Sequence, residues 1–159
     1  MTDAVFTALT FATALGCGLM AGVFFGFSTF IMRALARLPA PLGIAAMQSI
    51  NVFAVTPMFM TALFGTALAC LALIAATWYR SPATSGYLLL GSALYLVGTI
   101  LVTVVFNVPR NNALARVDPG SADGARVWAD YVVSWTMWNH VRTVSGLAAA
   151  ALVTRALMD

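Results

Sequence analysis

The stretch Trp128–Val153, WADYVVSWTMWNHVRTVSGLAAAALV, decides the fold that the rest of the chain must support. Its length and apolar second half predict a membrane-spanning helix, but its first half carries a row of aromatic and polar side chains. Alternating steps of three and four residues place this row on one face of a helix. The row consists of Trp128, Tyr131, Trp135, Trp138, Arg142 and Ser145. An arginine within a span costs at least about 2.5–3.5 kcal/mol on insertion scales, so Arg142 should face protein or trapped water.

The composition excludes a water-soluble domain. Hydrophobic residues make up 62% of the 159 residues and charged residues 8%, whereas soluble domains carry roughly 25% charged residues. The net charge of +3 comes from scattered arginines, which excludes a nucleic-acid partner. The chain is therefore predicted to be a single transmembrane domain, residues 1–159, whose partner is the lipid bilayer.

Hydrophobic runs predict four spans, at about residues 4–33, 57–79, 87–106 and 128–155. The segment at residues 42–53 follows the helix-breaking sequence LPAP and is too short and polar to span. We expect it to form a short interfacial helix. The predicted fold is thus an all-α integral membrane four-helix bundle with a short interfacial helix between helices 1 and 2.

The first span contains Gly18, Gly22 and Gly26 at four-residue spacing. Small residues at this spacing allow a second helix to approach closely. Two interpretations stay open, which are tight packing inside the bundle and a homo-oligomer formed through this face.

Polar residues from distant segments should meet at one end of the bundle. Gln48 and Asn51 share a helical face, either towards the interior or towards water. The third span ends in FNVPRNNAL, where Pro109 frees backbone groups that neighbours must satisfy. It also carries a polar row at four-residue spacing, which forms either a hydrogen-bonding seam or a cavity wall. The row consists of Tyr95, Thr99, Thr103, Asn107 and Asn111.

Most arginines fall in or beside the first and third loops. The positive-inside rule places those loops in the cytoplasm and both termini outside. The membrane itself is predicted to be the plasma (inner) membrane.

The chain offers few metal ligands, because it has one histidine, no glutamate and two separated cysteines. No metal site and no cofactor are predicted, although haem, copper or iron is not excluded. The polar cluster suits a different chemistry, in which a guanidinium and amides stabilise an oxyanion and an imidazole takes a proton. Arg142, His140 and Asn139 are the catalytic candidates.

The candidate substrate-binding residues are Asn107, Asn111, Asn112, Trp135, Trp138, Gln48 and Asn51. Together they suit a small hydrophobic aromatic substrate that enters from lipid. A packing role for the lone histidine and an interfacial belt for the tryptophans stay open. So does a non-enzymatic function as a small transporter or a partner-stabilising subunit.

Three motifs resemble the anthrone oxygenase-like family of small four-helix membrane proteins. They are MQSIN at Met47–Asn51, NVPRNN at Asn107–Asn112 and WTMWNHVRT at Trp135–Thr143. The resemblance implies a monooxygenase-type oxidation of anthrone-type polyketides to anthraquinones by dioxygen, without an organic cofactor. Arg110 departs from the apolar residue expected there. The residues that match the motifs are Asn107, Pro109, Asn111, Asn112, Trp135, Trp138, Asn139 and Arg142.

Overall fold

The computed structural model describes residues 2–80 and 83–158, and all regular structure within them is helical. We number five continuous helices. α1 consists of Asp3–Gly26, a π-helical segment Phe27–Ile31, and Met32–Ala36. α2 is Ala40–Phe53, α3 is Pro57–Arg80 and α5 is Ala122–Arg155. α4 consists of Ser85–Ala93, two π-helical segments Leu94–Leu101 and Thr103–Asn107, and Val108–Leu114. This arrangement confirms the all-α fold with a short helix after the first long one.

Within the described residues, three helices are long and apolar enough to cross a membrane, namely Asp3–Leu35, Pro57–Arg80 and Ser85–Leu114. α5 is not among them, although its 34 residues would extend about 51 Å at 1.5 Å per residue. Charged and polar residues in its first half lower its hydropathy. α5 nevertheless packs along both α1 and α4. The fourth span therefore stays a prediction, and this packing supports it.

The polar row of α4 explains why that helix contains π-helical turns. In a regular α-helix, residues four apart drift by roughly 40° at each step, or about 160° over the whole row. The wider turns at Leu94–Leu101 and Thr103–Asn107 counteract this drift. Tyr95, Thr99 and Asn107 are consequently all buried, at no more than 1% exposure. Such turns often mark functional sites.

Close helix packing at α1 involves Gly16 and Ala21, which neighbour the Gly18, Gly22 and Gly26 row in the sequence, rather than Gly22 of the row itself. A Cβ on Gly146 of α5 would lie 3.0 Å from the Cβ of Ala21, and one on Gly16 would lie 3.0 Å from the Cγ2 of Thr66. By contrast, a Cβ on Gly22 would meet nothing within 4 Å. The homo-oligomer through Gly18, Gly22 and Gly26 stays a prediction.

The two ends of the bundle are packed differently. Towards the chain termini, apolar side chains such as Leu73, Leu88 and Val153 are completely buried. At the other end, Ile44 and Met47 of α2 pack against Trp128 of α5. Gly43 allows this contact, because a Cβ there would lie 2.8 Å from the Trp128 ring. α2 therefore closes the end of the bundle where the polar residues collect.

Candidate functional site

Arg142 lies at the centre of the buried polar cluster, with 5% of its surface exposed. Its Nη2 donates to Asn139 Oδ1 at 2.7 Å and its Nη1 donates to Thr103 Oγ1 at 3.3 Å. The guanidinium carbon also lies 4.2 Å from the ring centroid of Phe24 and 5.0 Å from that of Trp135. Within residues 2–80 and 83–158, no carboxylate forms an ion pair with this guanidinium. Aromatic faces and neutral oxygens are what stabilise the charge.

Asn139 connects this arginine to α1 and is completely buried. Its Nδ2 donates to the Phe24 carbonyl and to Ser28 Oγ, each at 2.7 Å. Ser28 Oγ in turn lies 3.0 Å from Thr143 Oγ1. Because Asn139 is held at both ends of its amide, Arg142 has a fixed acceptor on its own helix.

A second amide joins α4 to the aromatic row of α5. Asn111 Oδ1 accepts one hydrogen bond from the Tyr131 hydroxyl and one from Trp135 Nε1, both at 2.8 Å. The aromatic rings of Trp128, Tyr131 and Trp135 stack in sequence, with centroids 5.7 and 5.9 Å apart. Two donors converging on one oxygen fix the Asn111 side chain beside these rings.

A cavity of about 110 Å³ lies between these groups. Polar side chains from three helices reach it, namely Asn51 of α2, Asn111 of α4 and Arg142 of α5. The Nε of Arg142 and the Nδ2 of Asn51 are buried, and neither forms a hydrogen bond within the described residues. The apolar lining consists of Val23, Phe24, Phe27, Met47, Ile50, Ala54, Phe59 and Trp135. We call this space the Arg142 cavity, and its unused donors suit a ligand oxygen.

Two predicted site residues lie at the contact between α4 and α5 and do not line this cavity. Asn107 is buried and its Nδ2 donates to the Trp135 carbonyl at 3.2 Å, while its Oδ1 has no partner within the described residues. Trp138 stacks on Phe106 with ring centroids 3.5 Å apart. Asn107 and Trp138 thus support the α4–α5 contact.

Three predicted site residues lie elsewhere. Gln48 Nε2 donates to the carbonyls of Leu114 at 2.9 Å and Val117 at 3.1 Å, which ties α2 to the end of α4. Asn112 is exposed. His140 is also exposed, and it lines two depressions on the outer face of α5. The structure does not bring these residues to Arg142.

Sequence reasoning missed four contributors to the site, namely Phe24, Ser28, Phe59 and Thr103. Thr103 is a direct hydrogen-bond partner of Arg142. Thr103 belongs to the polar row, and its place in that row was the available signal. Ser28 is a buried hydroxyl near the end of a span. The aromatic residues Phe24 and Phe59 could not be distinguished from ordinary apolar residues of a membrane helix.

Within the part of the chain that the structure describes, no group of three or more histidine, cysteine, aspartate or glutamate residues could hold a metal ion. Cys17 and Cys70 are buried free thiols in the apolar core next to Tyr95. The hydrogen-bond donors available at the Arg142 cavity are nitrogens of a guanidinium and of amides.

Comparison with known proteins places the chain in a family. No curated protein and no solved structure matches it. The sequence profile described as anthrone oxygenase matches residues 51–152, which is more than half of the chain. The matched segment begins at Asn51 and includes Asn111 and Arg142, so it covers the polar residues of the Arg142 cavity. The chain belongs to the anthrone oxygenase family.

Proposed function

We propose that the protein is a membrane-embedded oxygenase that oxidises an ionisable, hydrophobic aromatic compound of the anthrone type with dioxygen. The substrate binds at the Arg142 cavity as an enolate or phenolate. Dioxygen is the oxidant, and the proposal includes no organic cofactor. Family membership supports an oxygenase-like activity, and the residues of the cavity support the ionised aromatic substrate.

The observation that carries the proposal is the uncompensated charge of Arg142. The guanidinium is buried, it has no carboxylate partner within the described residues, and its Nε–H is unused. A buried charge without a counter-ion is costly, and an anionic ligand would offset that cost. Asn51 Nδ2 supplies a second unused donor at the same cavity.

The reaction needs little from the protein beyond orientation and charge stabilisation. Loss of a proton from the substrate methylene gives an anion whose oxygen faces Arg142, which stabilises it. The carbanion carbon bonds to dioxygen, and protonation gives a hydroperoxide. The O–O bond then breaks as the second C–H proton leaves, which releases water and forms the new carbonyl. The overall change is one CH₂ and one O₂ to one C=O and one H₂O.

The size of the cavity limits what enters it. An engineered cavity of about 150 Å³ holds one benzene molecule, and the Arg142 cavity is smaller, at about 110 Å³. It therefore takes the reacting edge of the substrate, and the remaining rings lie at the mouth. Ala54 and Phe59 line the cavity where α2 ends and α3 begins. Val55 and Met58 in that connection are 68% and 84% exposed, which suits entry from lipid.

The proposal assigns no proton transfer to His140, because that side chain lies on the outer face of α5. The substrate proton is released to water at the nearby membrane surface. We place the protein in the plasma (inner) membrane with loops 1 and 3 cytoplasmic. The packed apolar core between the cavity and the terminal end favours a pocket that is closed at one end over a transport path.

The test is oxygen consumption and quinone formation from anthrone by the purified full chain in detergent. We compare the wild type with Arg142→Met, which keeps a long side chain but removes the charge. We expect the variant to lose at least about 100-fold in kcat/KM, since one oxyanion-stabilising donor is worth roughly that factor. Its midpoint of thermal unfolding should stay close to that of the wild type, because the removal of a buried uncompensated charge offsets the loss of the donor to Asn139 Oδ1.

Arg116→Met is the matched control, because Arg116 is an exposed arginine that does not line the cavity. It should retain the wild-type rate. Equal rates for Arg142→Met and the wild type would reject the proposed role of Arg142, and no oxidation above the detergent blank would reject the proposed activity.

A further inference from the structure

The outer face of α1 and α5 carries a row of depressions that share no lining residue with the Arg142 cavity. The first, of about 350 Å³, lies between Met32 and Arg33 of α1 and Thr136 of α5, and it ends at His140. The second, of about 340 Å³, continues from His140 along Val141, Val144 and Ser145. The third, of about 260 Å³, adjoins the first at Arg33 and reaches Arg37. Because neighbouring depressions share Arg33 or His140, we treat the row as one surface and call it the outer groove.

One end of the outer groove is positively charged. Arg33 and Arg37 are four residues apart on α1 and both are exposed. Neither forms an ion pair in the part of the chain that the structure describes. Like charges at this spacing repel each other on a helix, so an anion bound between them would relieve the repulsion.

The groove is cationic at one end only, because Arg33 and Arg37 are the arginines that line it among the described residues. In its middle, the hydroxyl of Thr136 is buried without a hydrogen-bond partner within residues 2–80 and 83–158. Beyond His140, the lining consists of Val141, Val144 and Ser145, and the two valines are 37% and 67% exposed. From Arg37 to Val144 the groove therefore offers two cations, then the Thr136 hydroxyl, then two valines, which is the order that matches a phospholipid from phosphate to ester to acyl chain.

We infer that the outer groove binds one phospholipid with a net negative head group. The phosphate lies between Arg33 and Arg37, whose guanidinium groups match its oxygens in pairs. The ester region lies at Thr136, whose hydroxyl donates to an ester oxygen. One acyl chain follows Val141 and Val144. A zwitterionic lipid places a positive ammonium beside the two arginines, so it binds less tightly.

The experiment is native mass spectrometry of the full chain in detergent, titrated with phosphatidylglycerol or with phosphatidylcholine of the same acyl chains. The wild type should retain one phosphatidylglycerol and bind phosphatidylcholine at least about tenfold more weakly. The double variant Arg33→Gln, Arg37→Gln should lose about tenfold or more in phosphatidylglycerol affinity. Val144→Trp, which fills the apolar end, should also weaken binding several-fold.

Arg116→Gln is the matched control, because it removes an exposed arginine outside the groove. It should bind phosphatidylglycerol as the wild type does. The inference is overturned if the double variant keeps wild-type affinity, if the two lipids bind equally, or if Arg116→Gln weakens binding as much as the double variant does. Elution as a single detergent-solubilised species shows that each variant is folded.

Discussion

At the scale of single residues, Asn111 shows why the site uses amides rather than carboxylates. Its oxygen accepts from Tyr131 and Trp135 at 2.8 Å each, and a carboxylate would accept both hydrogen bonds equally well. A carboxylate would also compensate Arg142 and repel an anionic ligand. The neutral amide orders the aromatic rings while leaving the positive charge of the cavity available.

This argument predicts a separation of stability from activity in Asn111→Asp. Both hydrogen bonds to the side-chain oxygen are retained, so the unfolding midpoint should stay within a few degrees of the wild type. The rate of anthrone oxidation should fall at least about tenfold, because the new charge competes with the substrate anion for Arg142. Steady-state oxygen consumption and thermal unfolding in the same detergent measure the two effects.

Asn112→Asp is the control, since the adjacent Asn112 is exposed and lies outside the cavity lining. Its rate should match the wild type. An Asn111→Asp enzyme that is as active as the wild type would show that no anion binds beside this residue.

Helical spacing predicted that Trp135 and Arg142 share one face of a helix, and both are buried, while Asn111 is half-buried and lines the same cavity. The same spacing argues against His140, because two residues before Arg142 corresponds to about 200° around an α-helix. His140 was a candidate because it is the only histidine in the sequence, but the helix places its side chain on the exposed face of α5. The hydrogen bonds of Gln48 could not be predicted, because Leu114 and Val117 lie more than sixty residues away in the chain.

At the scale of secondary-structure elements, α2 is the part that closes the cavity. Its Met47, Ile50 and Asn51 contribute to the lining, so the cavity depends on where this short helix lies. Gln48 fixes that position by donating to two carbonyls at the end of α4. Gln48 is therefore a positioning residue for Asn51.

Gln48→Leu should loosen α2 without disturbing the long helices. It removes the Gln48 donor from both carbonyls, of which that of Leu114 keeps one long hydrogen bond, from the Val117 N–H at 3.4 Å. An unsatisfied buried group costs about 1–3 kcal/mol. Amide hydrogen exchange in residues 40–53 should become about tenfold faster, while exchange in residues 60–75 of α3 stays at the wild-type rate. The KM for anthrone should rise more than kcat falls, because binding requires α2 in place.

Ser49→Ala changes the neighbouring exposed residue and should leave both exchange and kinetics unaltered. Unchanged exchange in α2 of Gln48→Leu would mean that apolar packing alone, such as that of Ile44 and Met47, fixes this helix.

The existence and order of the helices followed from hydropathy, and their ends were predicted to within a few residues, except where α4 and α5 extend beyond the apolar runs. Hydropathy did not predict the π-helical turns, because the analysis of hydrophobic periodicity assumes 3.6 residues per turn. The strict four-residue row of Tyr95, Thr99 and Thr103 was the signal for them. Residues spaced strictly four apart stay on one face over several turns only if the helix has more than 3.6 residues per turn.

At the scale of the whole molecule, the path of α5 decides how the protein lies in the bilayer. Three helices meet the length and hydropathy expected of a span, and three spans would put the chain termini on opposite sides. α5 packs along α1 and α4, and its residue Val153 is buried with Leu88 at the terminal end. A helix that is buried at both ends of the bundle should cross the same membrane as its neighbours.

Cysteine labelling with a membrane-impermeant maleimide in intact cells tests this path. The wild type gives no background, because Cys17 and Cys70 are both 0% exposed. Met158→Cys reports the terminal end, where Met158 is 76% exposed, and Gly120→Cys reports the loop before α5, where an added Cβ has only ordinary contacts. With four spans and loops 1 and 3 cytoplasmic, Met158→Cys reacts in intact cells and Gly120→Cys reacts only after permeabilisation. If both variants react in intact cells, α5 does not cross the membrane. If Gly120→Cys reacts in intact cells and Met158→Cys only after permeabilisation, the orientation is the inverse of the one that the positive-inside rule gives.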